Sequence, residues 1–295
     1  ILRLWVVASD YYDDLKLDNS ILNSQADSYR RIRNTFRYLI GNLSDFKNEE
    51  QIQYELMPEI EKYLLHKLWE LDQVVKKNIK DFDFHQMFIS LLNFCSNDLS
   101  AFYFDIRKDC IYCDSQKDNK RKSSRTVLKI LFDHLVRWFA PSIVFTAEEA
   151  WKSMGYKESV HLENFLSVND KFKNEKLSEK WEFIRDIRKV ITGALELKRA
   201  EKIIGSSLQA KIKLYVSEEK KKVLDDIDIA EIGIVSSFEI SNSKIPQQAF
   251  SIENIKDVAV EIELAKGKKC ERCWKVLEEV LNKDICDRCE KVINQ

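Results

Sequence analysis

The chain has 295 residues, 44% hydrophobic and 33% charged. That is enough apolar material for a core, with more charge than the ~25% of an average soluble domain. Only 6 Gly and 3 Pro interrupt it, which favours long helices over a turn-rich sandwich or barrel. No glycine-rich loop of a known phosphate-binding type occurs, which excludes a nucleotide-binding Rossmann half. No apolar run reaches the ~18 residues of a bilayer span, so no membrane role is expected. The chain starts with Ile in the middle of an apolar run, so it reads as a piece of something longer.

Formal net charge is -1, yet the basic residues are segregated. Tyr29 to Tyr38 carries four Arg, three aromatics and no acid; Arg107 to Lys129 carries eight Lys/Arg against three Asp, a local +5; Lys266 to Lys275 carries five basic residues against Glu271, a local +4. Such patches suit a protein that meets a polyanion over part of its surface, because phosphate contacts need local charge and not a high global pI.

From Ser20 to about Trp151 the apolar spacing is helical. Ala26, Tyr29, Ile32, Phe36, Leu39 and Leu43 form one stripe, which turns Arg30, Arg33 and Arg37 to another face. Further helices are predicted over about Met57 to Ile79, Phe84 to Phe104 and Ser123 to Trp138, with Pro58 in a first turn and Pro141 as a stop. An up-and-down bundle over 1–155 is the economical solution. Residues 156–174 are polar and irregular and read as a linker. A helix over about Leu177 to Lys202 follows, and alternation at Leu208 to Val216 and at Val258 to Leu264 predicts two strands of a small α+β subdomain, 175–265.

The last segment, 266–295, holds Cys270-Glu-Arg-Cys273 and Cys286-Asp-Arg-Cys289 with twelve residues between the pairs. Each CxxC presents two thiolates from one tight turn, and two such turns complete the tetrahedron that zinc favours. One zinc with four sulfur ligands is expected, and four protein ligands make the site structural, since a catalytic zinc keeps a position open. About 30 residues hold no adequate core, so metal would supply much of the folding free energy, on the order of 10 kcal/mol. Cys110-Ile-Tyr-Cys113 has no second pair and reads as buried or partly exposed thiols; Cys95 reads as core. The four His are scattered and define no catalytic arrangement.

The segments DSYRRIRNTFRYLIGNLSDF, YFDIRKDCIYCDS, HLVRWFAPSIVFTAEEAW, IRKVITGALELKRAEKIIGSSLQA, KCERCW and CDRC, in that order, make the chain resemble the bacterial isoleucyl-tRNA synthetase family. The resemblance implies a mainly α fold: a helical-bundle anticodon-binding domain, a small α+β subdomain and a C-terminal four-cysteine zinc knuckle. It also implies a C-terminal fragment, because the family's HIGH-type and KMSKS-type motifs are absent. The parent would be a cytoplasmic, monomeric ligase joining isoleucine to tRNA(Ile) with ATP; ATP and isoleucine would bind only the missing catalytic domain, and this piece would perform no catalysis. Carried onto matching positions, tRNA contacts fall on Arg30, Arg33 and Arg37 of the first bundle helix and on Arg272 and Trp274 of the knuckle. An arginine pinned between metal ligands can meet a base edge, and an adjacent indole can stack on an unpaired base. The competing roles are that Trp274 covers the metal site and Arg272 balances thiolate charge. A stand-alone zinc-knuckle nucleic-acid binder is the alternative reading of the whole chain; a helical scaffold would leave the knuckle and basic patches idle.

Overall fold

The computed structural model describes residues 1–280 and 283–295. They divide into two units, Ile1–Ile111 with Gln116–Glu175, and Tyr112–Ser115 with Lys176–Gln295.

The first unit is helical. After a short helix α1 (Leu2–Ala8), Asp18 caps α2 (Asn19–Leu43) by accepting the Ile21 N–H at 2.8 Å. Ile32, Phe36, Leu39 and Leu43 of the expected stripe are buried, and Ala26 and Tyr29 partly so. Helix α3 (Glu59–Lys80) starts after Pro58, with Glu59 and Glu61 in its first turn and Lys77 and Lys80 in its last, signs that suit the helix dipole. The predicted third helix is longer than expected: α4 (Phe84–Asn93) runs into wider π-type turns over Phe94–Phe104 and continues as α5 (Asp105–Cys113). Asp118 caps α6 (Asn119–Phe139), which is buried on most sides, and α7 (Val144–Ser153) follows.

Aromatic packing joins these helices. Phe36 meets Phe132 and Phe139 edge to face, and Tyr38 stacks on Phe104 at 4.1 Å. At the centre lies a buried ion pair. Arg107 donates from Nε and Nη2 to the two oxygens of Glu61, each at 2.7 Å, and Oε1 also accepts from the Tyr103 and Ser124 hydroxyls at 3.0 Å. Both carboxylate oxygens are thus met by donors, as a buried charge requires. Arg125 is likewise buried, donating to Glu50, Asp45 and the Asn42 carbonyl. The basic run Arg107 to Lys129 is therefore no continuous surface patch: two of its arginines point inward, and Lys129 pairs with Asp133.

Residues 156–174, which the polar composition suggested as a linker, belong to this unit. Tyr156 stacks on Trp151 at 3.7 Å, Val160 and Phe172 are buried, and the Trp69 indole N–H donates to Asp170 at 2.9 Å. A few apolar anchors spaced along a polar segment are enough to fasten it.

The second unit takes up α8 (Glu175–Ala200) from Lys176 onward, and the helix buries Trp181, Ile184, Ile187, Val190, Ile191 and Leu195. A three-stranded sheet has the order β2-β1-β3, with β1 (Ala210–Val216) parallel to β2 (Ser237–Ser241) and antiparallel to β3 (Val258–Leu264). Ile212 faces Phe238 on one side and Ile262 on the other. Strand β2 had no sequence expectation. Between the strands lie α9 (Glu218–Val223) and α10 (Ile229–Gly233). Gly193 of α8 sits against the Phe250 ring so closely that a Cβ would come within 2.8 Å. Among the described residues no helix is long and apolar enough to cross a membrane.

Candidate metal centre and nucleic-acid interface

Gly267 turns the chain into the terminal segment with φ +119, and a Cβ there would fall 2.2 Å from the Leu277 carbonyl, so only glycine fits. The hairpin that follows pairs β4 (Lys268–Lys269) with β5 (Val276–Leu277). At its tip the Trp274 N–H donates to the Cys270 carbonyl and the Cys270 N–H to the Lys275 carbonyl, both at 2.9 Å. This closure holds Trp274 in the left-handed region at φ +66. The second cysteine pair opens α11 (Asp287–Ile293), with Cys286 as its cap.

The Sγ atoms of Cys270, Cys273, Cys286 and Cys289 are all buried and lie within 4.8 Å of one another. Cys273 and Cys286 are 3.7 Å apart. Tetrahedral geometry with ~2.3 Å bonds asks for sulfurs about 3.8 Å apart, so the four fit one metal ion, and at 3.7 Å this pair is no disulfide. Burial pushes the Cys270 thiol up, but N–H donors from Cys273, Cys286 and Arg272 outweigh it and bring it down to about 6. Burial keeps Cys273 and Cys286 raised. Backbone donors aimed at sulfur stabilise thiolate, the form a metal binds. Val280, Leu277 and Ile285 pack around the cluster, and the Ser236 hydroxyl, which accepts the Val276 N–H at 2.7 Å, ties the hairpin to the residue just before β2.

Trp274 is 58% exposed, so its indole does not cover the sulfurs. The Lys269 ammonium lies 5.0 Å from the ring centroid on one face. Arg272, expected to reach a base, is engaged inside the protein: it donates to the carbonyl of Cys113 at 2.6 Å and of Tyr112 at 3.4 Å. Sequence reasoning missed this partner segment. The signal was the weak CxxC itself, whose halves part company: Cys110 is buried in the helical unit near the Ser124 hydroxyl, whereas Cys113 packs with the metal-site cysteines.

In the helical unit Arg30, Arg33 and Arg37 of α2 are all exposed. Arg30 pairs with Asp27 at 3.0 Å and Arg33 with Glu149 at 3.9 Å, while no ion pair holds Arg37 among the described residues. Exposed pairs of this kind are worth only ~0 to 1 kcal/mol and yield readily to a phosphate. Arg33 and Arg37 flank a groove of about 450 Å³ between α2 and α7, with Asn34, Thr146, Glu149 and Ser153 on its walls. Arg30 is not on that wall.

A bundle bearing exposed arginines, and in the other unit an exposed indole on a cysteine-pinned turn, define a class that comparison with known proteins identifies. A family described as the anticodon-binding domain of tRNA ligase matches residues 61–214, and the chain belongs to it. Among curated proteins the chain is similar to the isoleucine–tRNA ligases of Bartonella henselae (45% identity over 283 residues, covering 95% of this chain and 29% of the relative), Pelagibacter ubique (42% over 292 residues, 98% and 31%) and Agrobacterium fabrum (44% over 282 residues, 95% and 29%). The chain thus spans less than a third of the length of these relatives.

Proposed function

We propose that this chain is the tRNA-gripping region of an isoleucine–tRNA ligase and holds the anticodon stem-loop of tRNA(Ile). ATP and isoleucine would be handled by a catalytic domain outside these residues, and this part would perform no chemistry. The whole enzyme would act as a monomer in the cytoplasm. Cys270, Cys273, Cys286 and Cys289 would hold one structural zinc, which supplies no reaction and fixes the turn that carries Trp274. An unpaired anticodon base would stack on the indole face opposite Lys269, because every base has a π-face and splayed loop bases are what proteins read in RNA. Arg30, Arg33 and Arg37 would meet backbone phosphates, which position the RNA without reading it.

The observation that carries this reading is the exposed indole beside four convergent sulfurs, in a chain that belongs to the anticodon-binding family. The test is binding to tRNA(Ile) and to the same tRNA with an altered anticodon across a salt series. Affinity should fall steeply with salt, as each neutralised phosphate releases counterion, and the altered anticodon should bind more weakly. Equal affinity for both tRNAs would defeat anticodon recognition, and salt-independent binding would defeat the phosphate contacts.

A further inference from the structure

The two cysteine pairs share a feature that metal binding leaves unused: each reads Cys-acid-Arg-Cys, with Arg272 in one and Arg288 in the other. Both arginines turn onto one short segment, Tyr112–Ser115, each meeting different residues of it. Arg272 takes the carbonyls of Tyr112 and Cys113, the last two residues of α5, and Arg288 reaches the Asp114 carboxylate at 3.2 Å. Next to them the Ser115 hydroxyl donates to the Gln295 side chain at 2.7 Å, and the Cys113 thiol points at the Arg272 carbonyl at 3.9 Å. The final carbonyls of a helix have no partner within it, and a cation placed there meets both the orphan acceptors and the negative end of the dipole. Arginine also suits the position better than lysine, since its planar fork reaches two acceptors at once.

We propose that Arg272 and Arg288 are positioning residues, forming a two-armed clamp that docks Tyr112–Ser115 onto the metal knuckle. An arginine between two metal ligands has its backbone held on both sides, so the clamp is rigid when metal is bound and slack when it is not. The segment and the metal site are then one cooperative element, and Cys113 reports on it because docking buries its thiol. This goes beyond the tRNA-binding reading and rests on it only for the last arm of the test.

The experiment follows alkylation of Cys113 by iodoacetamide in the zinc-loaded protein, by peptide mass spectrometry, with zinc content measured in parallel. Cys113 should be protected in the wild type. Arg272→Ala should raise its rate by about 10- to 100-fold, the factor that loss of a charged hydrogen bond gives an opening equilibrium, with zinc retained. Arg272→Lys, which still offers a cation to the carbonyls, should fall between, and Arg288→Ala should raise the rate less. Should Arg272→Ala lose zinc, Arg272→Lys carries the test alone. Chelation of the wild type should expose Cys113 together with the four ligands, while Cys95 and Cys110 stay protected. A Cys113 rate that stays at the wild-type value in the zinc-loaded Arg272 variants overturns the clamp. In the tRNA arm, Arg272→Ala should weaken binding equally for native and altered anticodons; a loss confined to the native anticodon would instead make Arg272 a base reader and overturn its positioning role. If the wild type binds no tRNA, the functional proposal fails and the alkylation result still decides the clamp.

Discussion

Replacing Trp274 by glycine tests the proposed stacking role of its indole with little disturbance to the frame of the knuckle. Trp274 sits at φ +66, a conformation that costs a side-chain-bearing residue ~1 to 2 kcal/mol and glycine almost nothing. Against that relief stand the added backbone entropy of glycine, ~0.5 to 1 kcal/mol, and the lost contact with the Lys269 ammonium, ~0.5 to 1 kcal/mol at an exposed site. The terms nearly cancel, so Trp274→Gly should keep its fold within about 1 kcal/mol of the wild type and keep its zinc. What it loses is the stacking surface, worth ~1 to 3 kcal/mol per base, or about 5- to 150-fold in affinity for tRNA(Ile). Filter binding beside metal analysis measures both quantities. Trp274→Ala should show the same binding loss with a less stable knuckle, because alanine keeps the left-handed strain. In a full-length isoleucine–tRNA ligase, the matching change should depress tRNA charging and spare ATP–pyrophosphate exchange, which needs no tRNA. Unchanged affinity in Trp274→Gly with zinc retained would refute the stacking role; lost zinc would assign the indole to the frame.

The metal site predicts one zinc per chain, lost in Cys286→Ser and retained in Cys113→Ser; zinc should also be released as pH falls, since each sulfur sheds its proton to bind, and metal analysis across pH checks this. Glu61→Ala strands the buried Arg107 charge and should cost about 3 to 5 kcal/mol, seen as a melting temperature lower by roughly 6 to 20 °C; a loss below ~1 kcal/mol would show that the pair contributes little. Burial holds the His66 and His134 imidazoles below their ordinary value, so the unfolded chain takes up their protons first. Stability from this source is full above about pH 6.5 and declines as pH falls through it, and urea midpoints from about pH 8 to pH 5 should drop accordingly, less so in His134→Gln.

Local chemistry made much of the molecule legible beforehand. The stripe of α2 is readable because residues three and four apart share a helix face whatever the rest of the chain does. Strand β1 alternates over its first five residues because Ala210, Ile212 and Leu214 are buried while Lys211 and Lys213 between them are half-buried. The same reasoning fails for β2: Ser237–Ser241 is short and has no fully buried residue, and it pairs as a strand along the parallel edge that β1 offers. The polar run 156–174 fails likewise, since Trp69 and Trp151, which hold it, come from α3 and α7.

By itself the sequence determined the helical bundle, the two cysteine pairs that the fold brings together and the exposed arginine face of α2, because each depends on spacings of a few residues along one element. Tertiary structure decided which charges serve surface and which serve interior. Glu61 and Arg107 stand 46 residues apart and Arg272 and Cys113 159 apart, so nothing near either arginine marks it as buried or engaged. A guanidinium has the same composition whether it waits for a phosphate or caps a helix. Only the three-dimensional placement of carboxylates and orphan carbonyls tells the two apart, because the desolvation cost of a charge is set by what the fold brings beside it.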